Sequence, residues 1–342
     1  MLAMIPFERF APGRVNLIGE HTDHAGGLAL PAAIDRGITI TVTGISDTIR
    51  LTSADFGTAE VSAKGGAGAT GWARYVAAVA AELASSGRAP VGIEGEVTSD
   101  LPTGAGLASS AALEVVAALA LCAAADFDLA PLDLAQLCRR AEHRAVGVPC
   151  GVMDHVASLF GRRDHALLLD TSTVTFEEVR IPDQVRVLVL DSGVHRELAD
   201  SNYETRRDEL RRGLAGATDP VSRRRLRHFR TENRRVQEVV AALRSDPPDL
   251  ERAGRLLTEG HTSLRDDFEA STMELDVMVD EAVGAGAYGA RVTGAGFGGC
   301  VVALAPADRA ELIGADAVDG YARRFPDRSS SWMVCRAADG AR

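Results

Sequence analysis

The chain contains a single lysine in 342 residues, Lys64, and it sits in Ser62-Ala-Lys-Gly-Gly66 rather than in GxxxxGK[ST]. A P-loop, whose lysine reaches the β- and γ-phosphates, is therefore excluded. So is the protein-kinase plan, which needs a strand lysine on the α- and β-phosphates. Any nucleotide held here has to be held by backbone amides, arginine and metal. Five cysteines form no CxxC pair and mostly sit among Ala, Leu and Val, which reads as buried reduced thiols. Eight histidines include no HExxH, so no zinc-hydrolase site is indicated. The longest apolar run, Val115–Ala125, is too short for a membrane span, and no basic-then-apolar leader is present, so a cytoplasmic location is expected. A formal charge of −11 argues against a general attraction to nucleic acid or anionic membrane. Small-molecule chemistry, without nucleic-acid or membrane partners and with a monomer favoured, is the expectation.

What is present is ordinary globular composition, 46% apolar and 25% charged, at a length nearer two domains than one. Ile38–Thr43 and Ile93–Val97 read as strands, with a helix between them over Trp72–Leu83. A Pro/Gly/Ser-rich turn, Asp100–Ser110, precedes a long apolar helix over Ala111–Ala125, and a second helix is expected over Pro131–Val146. His165–Val179 reads as a hairpin and Gln184–Asp191 as a buried strand, with a domain boundary near Pro182. Residues 199–243 read as helical and rich in arginine. The arginines from Arg223 to Arg235 are interrupted by Glu232 and lie beside an apolar stripe of Leu226, Phe229, Val236, Val239 and Val240, which favours a solvated helix face over a nucleic-acid surface. Asp246-Pro-Pro-Asp249 breaks the helical stretch, and Ala290–Leu304 reads as strand, glycine turn, strand.

Four segments carry chemistry. Leu101-Pro-Thr-Gly-Ala-Gly-Leu-Ala-Ser-Ser-Ala-Ala112 sets small residues before a strong helix, so backbone N–H groups and the positive end of the helix dipole can approach a polyphosphate. The residues alone equally permit a glycine turn that merely caps the helix. Glu20, His21 and Asp23 crowd together after an apolar stretch, suited to the hydroxyls of a sugar ring, with a metal site as the competing reading. Asp154, among apolar neighbours in Pro149-Cys-Gly-Val-Met-Asp-His155, is either a helix cap or a working carboxylate. Arg291-Val-Thr-Gly-Ala-Gly-Phe-Gly-Gly-Cys300 has more glycine than a hairpin needs.

Gly13-Arg-Val-Asn-Leu-Ile-Gly-Glu-His-Thr-Asp23 resembles the signature of galactokinases, while Gly104–Ala112 and Arg291–Cys300 resemble the second and third motifs of the wider GHMP small-molecule kinase superfamily. Similarity to galactokinases continues through Cys150–Asp154, Ser201–Arg207, Arg227–Asn233 and His261–Glu269, covering nearly the whole chain. The resemblance implies a two-lobed α/β (α+β) fold, with a ribosomal-protein-S5-like N-terminal lobe over 1–183 and a ferredoxin-like C-terminal lobe over 184–342. It implies transfer of the γ-phosphoryl group of ATP, with Mg²⁺, to the anomeric hydroxyl of galactose. Asp154 would act at that hydroxyl and Arg14 beside the moving phosphoryl group. Glu20, His21, Asp23, Gly151 and Tyr203 would contact the sugar, and Gly104, Gly106, Ser109 and Ser110 the nucleotide phosphates. Ser110 and Glu142 would ligate Mg²⁺, with Trp72 and Tyr75 near the adenine. Departures from the common pattern are His24 and Ala25 for Tyr and Asn, Ala108 for Ser, His155 for Gln, and Thr272-Met273 for Cys-Pro. Two alternatives stay open: a kinase for a related sugar such as N-acetylgalactosamine, arabinose or galacturonate, and a galactose sensor that binds both ligands without turnover. The intact second motif, Asp154 and Arg14 speak against the sensor.

Overall fold

The computed structural model describes residues 6–102, 104, 106–148, 150–194 and 202–342. Strands β1 (Phe7–Asn16) and β3 (Pro31–Ser46) are the long antiparallel pair of a five-stranded sheet. With β4 (Thr48–Ser53), β5 (Gly57–Ser62) and β6 (Gly92–Ser99) its order is β1-β3-β6-β4-β5, in which β4 and β6 run parallel. Helices α1 (Ala73–Ser85), α2 (Ser109–Ala124) and α3 (Pro131–Val146) pack together, and α2 lies against β1 and β3. The composition of α2 explains its place: it is apolar almost all round, and a helix without a polar face belongs inside. Its one buried charge, Glu114, is fully enclosed.

Helix α4 (Met153–Phe160) leads into a three-stranded sheet, order β2-β7-β8, made of β2 (Leu28–Ala29) and the hairpin β7 (His165–Asp170) and β8 (Thr175–Arg180). The second large sheet has order β10-β11-β9-β12, from β9 (Val185–Asp191), β10 (Gly289–Val292), β11 (Cys300–Pro306) and β12 (Ser331–Cys335). Around it lie α5 (Tyr203–Leu214), α6 (Pro220–Arg244), α7 (Leu250–Ser263), α8 (Met273–Gly284) and α9 (Ala310–Arg324). The two-lobed architecture is thus the expected one. The lobes are tied at both ends. Phe10 and Arg342 exchange backbone hydrogen bonds of 2.9 and 3.0 Å, and the main apolar core includes residues of α6, α7 and β11 beside those of the five-stranded sheet.

Two readings of the sequence need correction. The helical stretch 199–243, whose first three residues lie outside the described residues, is two helices. Gly216, at φ +93°, ends the first, and Asp219 caps the second by accepting from Ser222 N at 3.0 Å. Nor are the α6 arginines simply a solvated face. Arg225 is 1% exposed and bound to Glu209 and Glu269, both at 2.7 Å, and Arg235 is buried against Glu232. A side chain with five donors can be taken inside when carboxylates meet it there.

Candidate active site

A cavity of about 190 Å³ opens between the lobes. Five segments far apart in sequence reach it. They are the end of β1 with the turn behind it, the loop into α2, the end of α3 with the α3–α4 connection, the start of α5, and the glycine turn between β10 and β11. Thr103, Ala105 and Pro149, which belong to two of these motifs, lie outside the described residues.

One wall is built for charge transfer. Arg14 sits on β1 where the register with β3 slips between Pro12 and Arg14, and it is 5% exposed. Its Nε donates to Asp154 Oδ1 at 2.8 Å and its Nη2 to Oδ2 at 2.7 Å, while Nη1 donates to Gly106 O at 2.7 Å. Three of its nitrogens are thus committed, and the guanidinium bridges the carboxylate at the start of α4 to the glycine loop before α2. Asp154 makes no helix cap; it faces the cavity with its side chain 26% exposed. Gly104 and Gly106 take φ of +71° and +79°, and Ala108 is forced to +59° at the start of α2, a position with no side-chain cap. The first-turn N–H groups of α2, with Ser109 and Ser110, are left to serve an anion.

Beside them the Ser110 hydroxyl donates to Glu142 Oε1 at 2.8 Å. Glu142 Oε2 lies 3.8 Å from His155 Nε2, which is 2.8 Å from Glu114 Oε2, and Glu114 Oε1 has no hydrogen-bond partner. Burial pushes the Glu114 carboxyl well above its usual range, reinforced by Glu142 and Asp154. An excess of carboxylate next to a phosphate cradle, with a hydroxyl and Glu142 on the cavity wall, fits a hard divalent cation such as Mg²⁺.

The opposite wall is built for hydroxyls. Burial raises the Glu20 carboxyl to about 7, against the pull of Arg291 at 3.0 Å. Burial and the neighbouring Asp154 raise Asp23 to about 6. A Cβ on Gly151 would lie 1.7 Å from Asp23 Oδ2, so only glycine lets that carboxylate stand where it does. His21, at φ +60°, stacks on Phe268 with ring centroids 4.3 Å apart and donates from Nε2 to Ala295 O at 3.1 Å. Tyr203, at the start of α5, lies 5.6 Å from His21 and 5.8 Å from His24, ring to ring. Burial lowers His24 to about 4, so it is neutral.

The glycines of the β10–β11 turn are explained by this wall. Gly294, Gly296, Gly298 and Gly299 all have positive φ, and the turn they permit sends Gly294 N toward Glu20 Oε1 at 3.3 Å and presents Ala295 O to His21. A hairpin would need one or two such residues.

The structure therefore brings together Arg14, Glu20, His21, Asp23, Gly104, Gly106, Ser109, Ser110, Glu142, Gly151, Asp154 and Tyr203. Trp72 and Tyr75 are not among the residues lining the cavity. They pack against the main core at the start of α1, where Trp72 Nε1 donates to Phe56 O at 3.1 Å. Of the cysteines, Cys122, Cys138, Cys300 and Cys335 are buried and all five are free, whereas Cys150 lines the cavity. Sequence reasoning missed Arg291 and Glu232 behind the hydroxyl wall. Arg291 was legible only as the first residue of a glycine motif, and Glu232 as an interruption of a basic run. Its position four residues before the buried Val236 was the available signal.

Three family models match along the chain. The galactokinase galactose-binding signature matches residues 6–43, the GHMP kinase N-terminal domain residues 74–162, and the GHMP kinase C-terminal domain residues 236–321. A galactokinase of Pyrococcus furiosus is 39% identical, across 96% of this chain and 97% of its own. A galactokinase of Roseiflexus sp. is also 39% identical, across 96% of this chain and 91% of its own. The crystal structure of Lactococcus lactis galactokinase complexed with galactose superposes with a TM-score of 0.91 at 29% identity, covering 99% of this chain and 95% of that one.

Proposed function

The chain belongs to the galactokinase family of GHMP kinases, and from that membership we propose that it transfers the γ-phosphoryl group of ATP to the C1 hydroxyl of galactose, giving galactose 1-phosphate and ADP. The observation that supports this best is the bidentate Arg14–Asp154 pair, standing between a phosphate cradle and a wall of carboxylates. In this reading Asp154 accepts the hydrogen bond of the attacking C1 hydroxyl and takes its proton as the new O–P bond forms. Arg14 holds that carboxylate in place and lies beside the equatorial oxygens of the moving phosphoryl group. Gly104, Gly106, Ser109 and Ser110 bind the phosphates through backbone and hydroxyl donors. Ser110 and Glu142 would hold Mg²⁺, which when bound supplies charge neutralisation for the phosphate oxygens. Glu20, His21, Asp23 and Tyr203 orient the sugar, and Gly151 makes room for Asp23. Trp72 and Tyr75 are assigned to the adenine end of the nucleotide path.

Galactose is favoured over the related sugars because carboxylates built to accept from hydroxyls leave a buried group unpaired when the hydroxyl is missing or turned away. Galacturonate would bring a carboxylate toward Glu20 and Asp23, and like charges repel. The test is ADP release by the purified protein with galactose, 2-deoxygalactose, N-acetylgalactosamine, galacturonate, arabinose and glucose, with Asp154→Ala in parallel. Galactose should be turned over far faster than the others, and Asp154→Ala should be silent. Preference for another sugar would overturn the substrate, and binding of both ligands without turnover would overturn the kinase.

A further inference from the structure

Behind the hydroxyl wall lies a row of buried charges that reaches the cavity only at Glu20. Arg291, fully enclosed on β10, stands between two carboxylates: Glu20 Oε2 at 3.0 Å on the cavity side and Glu232 Oε1 at 2.6 Å on α6. Glu232 is itself fully buried. Its Oε1 also accepts from Gly19 N at 2.9 Å, and its Oε2 pairs with Arg235 at 2.9 Å. The row therefore alternates in sign and sums to zero. Burial alone would raise Glu232, but Arg291, His228 and Arg235 outweigh it and hold the carboxyl near 2. The Glu20 main chain is pinned as well, since His228 Nε2 donates to Glu20 O at 3.1 Å. A Cβ on Gly260 of α7 would meet Arg291 Nη1 at 2.3 Å, so the space for this guanidinium is reserved by a neighbouring helix.

We infer that Glu232 and Arg291 are positioning residues for sugar recognition, fixing where the Glu20 carboxylate points and how strongly it accepts. This rests on the reading of Glu20 as a sugar contact. A buried arginine with one carboxylate would bind it tightly and turn it inward. Sharing the guanidinium between two carboxylates leaves Glu20 less tightly held and able to accept from a hydroxyl. Alternating charge is also self-consistent: each member is a buried ion that would be costly alone. A purely structural tie between α6 and β10 would not need to end on a cavity residue, nor to pair with the amide of Gly19 immediately before it.

The experiment is a double-mutant cycle between Glu20→Gln and Glu232→Gln, read as separate KM and kcat values for the sugar that the wild-type protein turns over. Glu232→Gln should raise the sugar KM about tenfold, with kcat and the ATP KM within about twofold, because only the ground-state grip on the sugar is altered. The double variant should be no worse than Glu20→Gln alone, since both act through one carboxylate. The titratable groups facing Glu20 are Arg14 from its own segment, Arg291 from β10, and Glu232 and His228 from α6. Of these, Glu232 raises the Glu20 carboxyl, so its removal should shift the acid limb of the sugar kcat/KM to lower pH. If Glu232→Gln folds poorly, Arg235→Gln, which leaves Glu232 free to hold Arg291 more tightly and so loosens the hold of Arg291 on Glu20, should move the sugar KM in the opposite direction by a smaller factor. Additive effects, an equal rise in the ATP KM, or a fall in kcat at unchanged sugar KM would each overturn the inference. A wild-type protein that turns over no sugar would instead overturn the functional reading, and that is seen before any variant is made.

Discussion

The two walls of the cavity solve opposite electrostatic problems. On the transfer wall the key side-chain donors are committed before any ligand arrives: Arg14 to Asp154 and Gly106, and Ser110 to Glu142. On the hydroxyl wall Glu20 and Asp23 are desolvated and shifted upward, and what balances Glu20 lies behind it, in Arg291 and Glu232. The first arrangement gives rigidity, which suits a reaction whose catalysis is mainly positioning. The second leaves acceptors waiting for donors, which suits selection among sugars that differ in a hydroxyl. Damage to the first wall should appear in kcat, and damage to the second in the sugar KM.

The sharpest break is Arg14→Lys. An ammonium keeps the charge but cannot make the two parallel bonds to Asp154 together with the bond to Gly106 O, so both the carboxylate and the glycine loop lose their common brace. A fall in kcat of about 10²–10³-fold is expected, with a much smaller change in sugar KM, measured by steady-state kinetics at saturating ATP. Should KM rise instead while kcat holds, the assignment of Arg14 to the transfer wall is wrong.

Gly151→Ala tests the point at which the walls meet. The methyl group would overlap Asp23 Oδ2, and Asp23 must swing away because the α3–α4 connection holds Gly151 beside Asp154. The sugar KM should rise between about 10- and 100-fold. The ATP KM should be unaffected, and sugar-induced thermal stabilisation should shrink in step. Asp23→Asn combined with Gly151→Ala should be little worse than either change alone, and additivity would show that the glycine serves something other than Asp23.

Most of this division could be read from the sequence, and the exceptions have a common cause. Helix α3 was legible to the residue because it has Pro131 at its start, Gly147 at its end and a clean apolar stripe between them. The dense motifs announced their own importance, since runs such as Glu20–Asp23 have no use in a core. The break between α5 and α6 was hidden because Gly216 and Asp219 stand in a stretch whose arginine content masks the turn. Arg225, Arg291 and Glu232 were misjudged or missed because single-sequence reading counts charges as outward, whereas their partners come from other elements. Trp72 and Tyr75 show a related ambiguity: aromatics at helical spacing at the start of α1 pack against the core whether or not they also reach a nucleotide.

The smallest effect expected, and the one that separates the walls most cleanly, is on pH. Glu20 near 7 and Asp23 near 6 both stand above their ordinary values of 4.5 and 3.8. For a carboxyl raised by folding, the folded chain binds the proton more tightly than the unfolded one. The contribution to stability is complete below about pH 4 and is lost as pH rises through 6 to 7. Sugar binding runs the other way, because the ionised carboxylate is the better acceptor. Thermal stabilisation by galactose should therefore grow from pH 5 to pH 8, and kcat/KM for galactose should fall as pH drops below 7, by about tenfold at pH 5.5. Asp23→Asn removes one of the two groups. The shift of Asp23 corresponds to about 3 kcal/mol, but its side chain is only half-buried, and solvent screening reduces the contribution to on the order of 1 kcal/mol. The sugar-free variant should thus be more stable than the wild-type protein by that amount at pH 8 and equal to it at pH 4, and it should be less protected by galactose at pH 8, where the wild-type carboxylate is ionised. Measured melting curves that show Asp23→Asn less stable at pH 8 would mean that Asp23 is held by favourable partners in the free protein, and the contrast between a satisfied wall and a waiting one would fall with it.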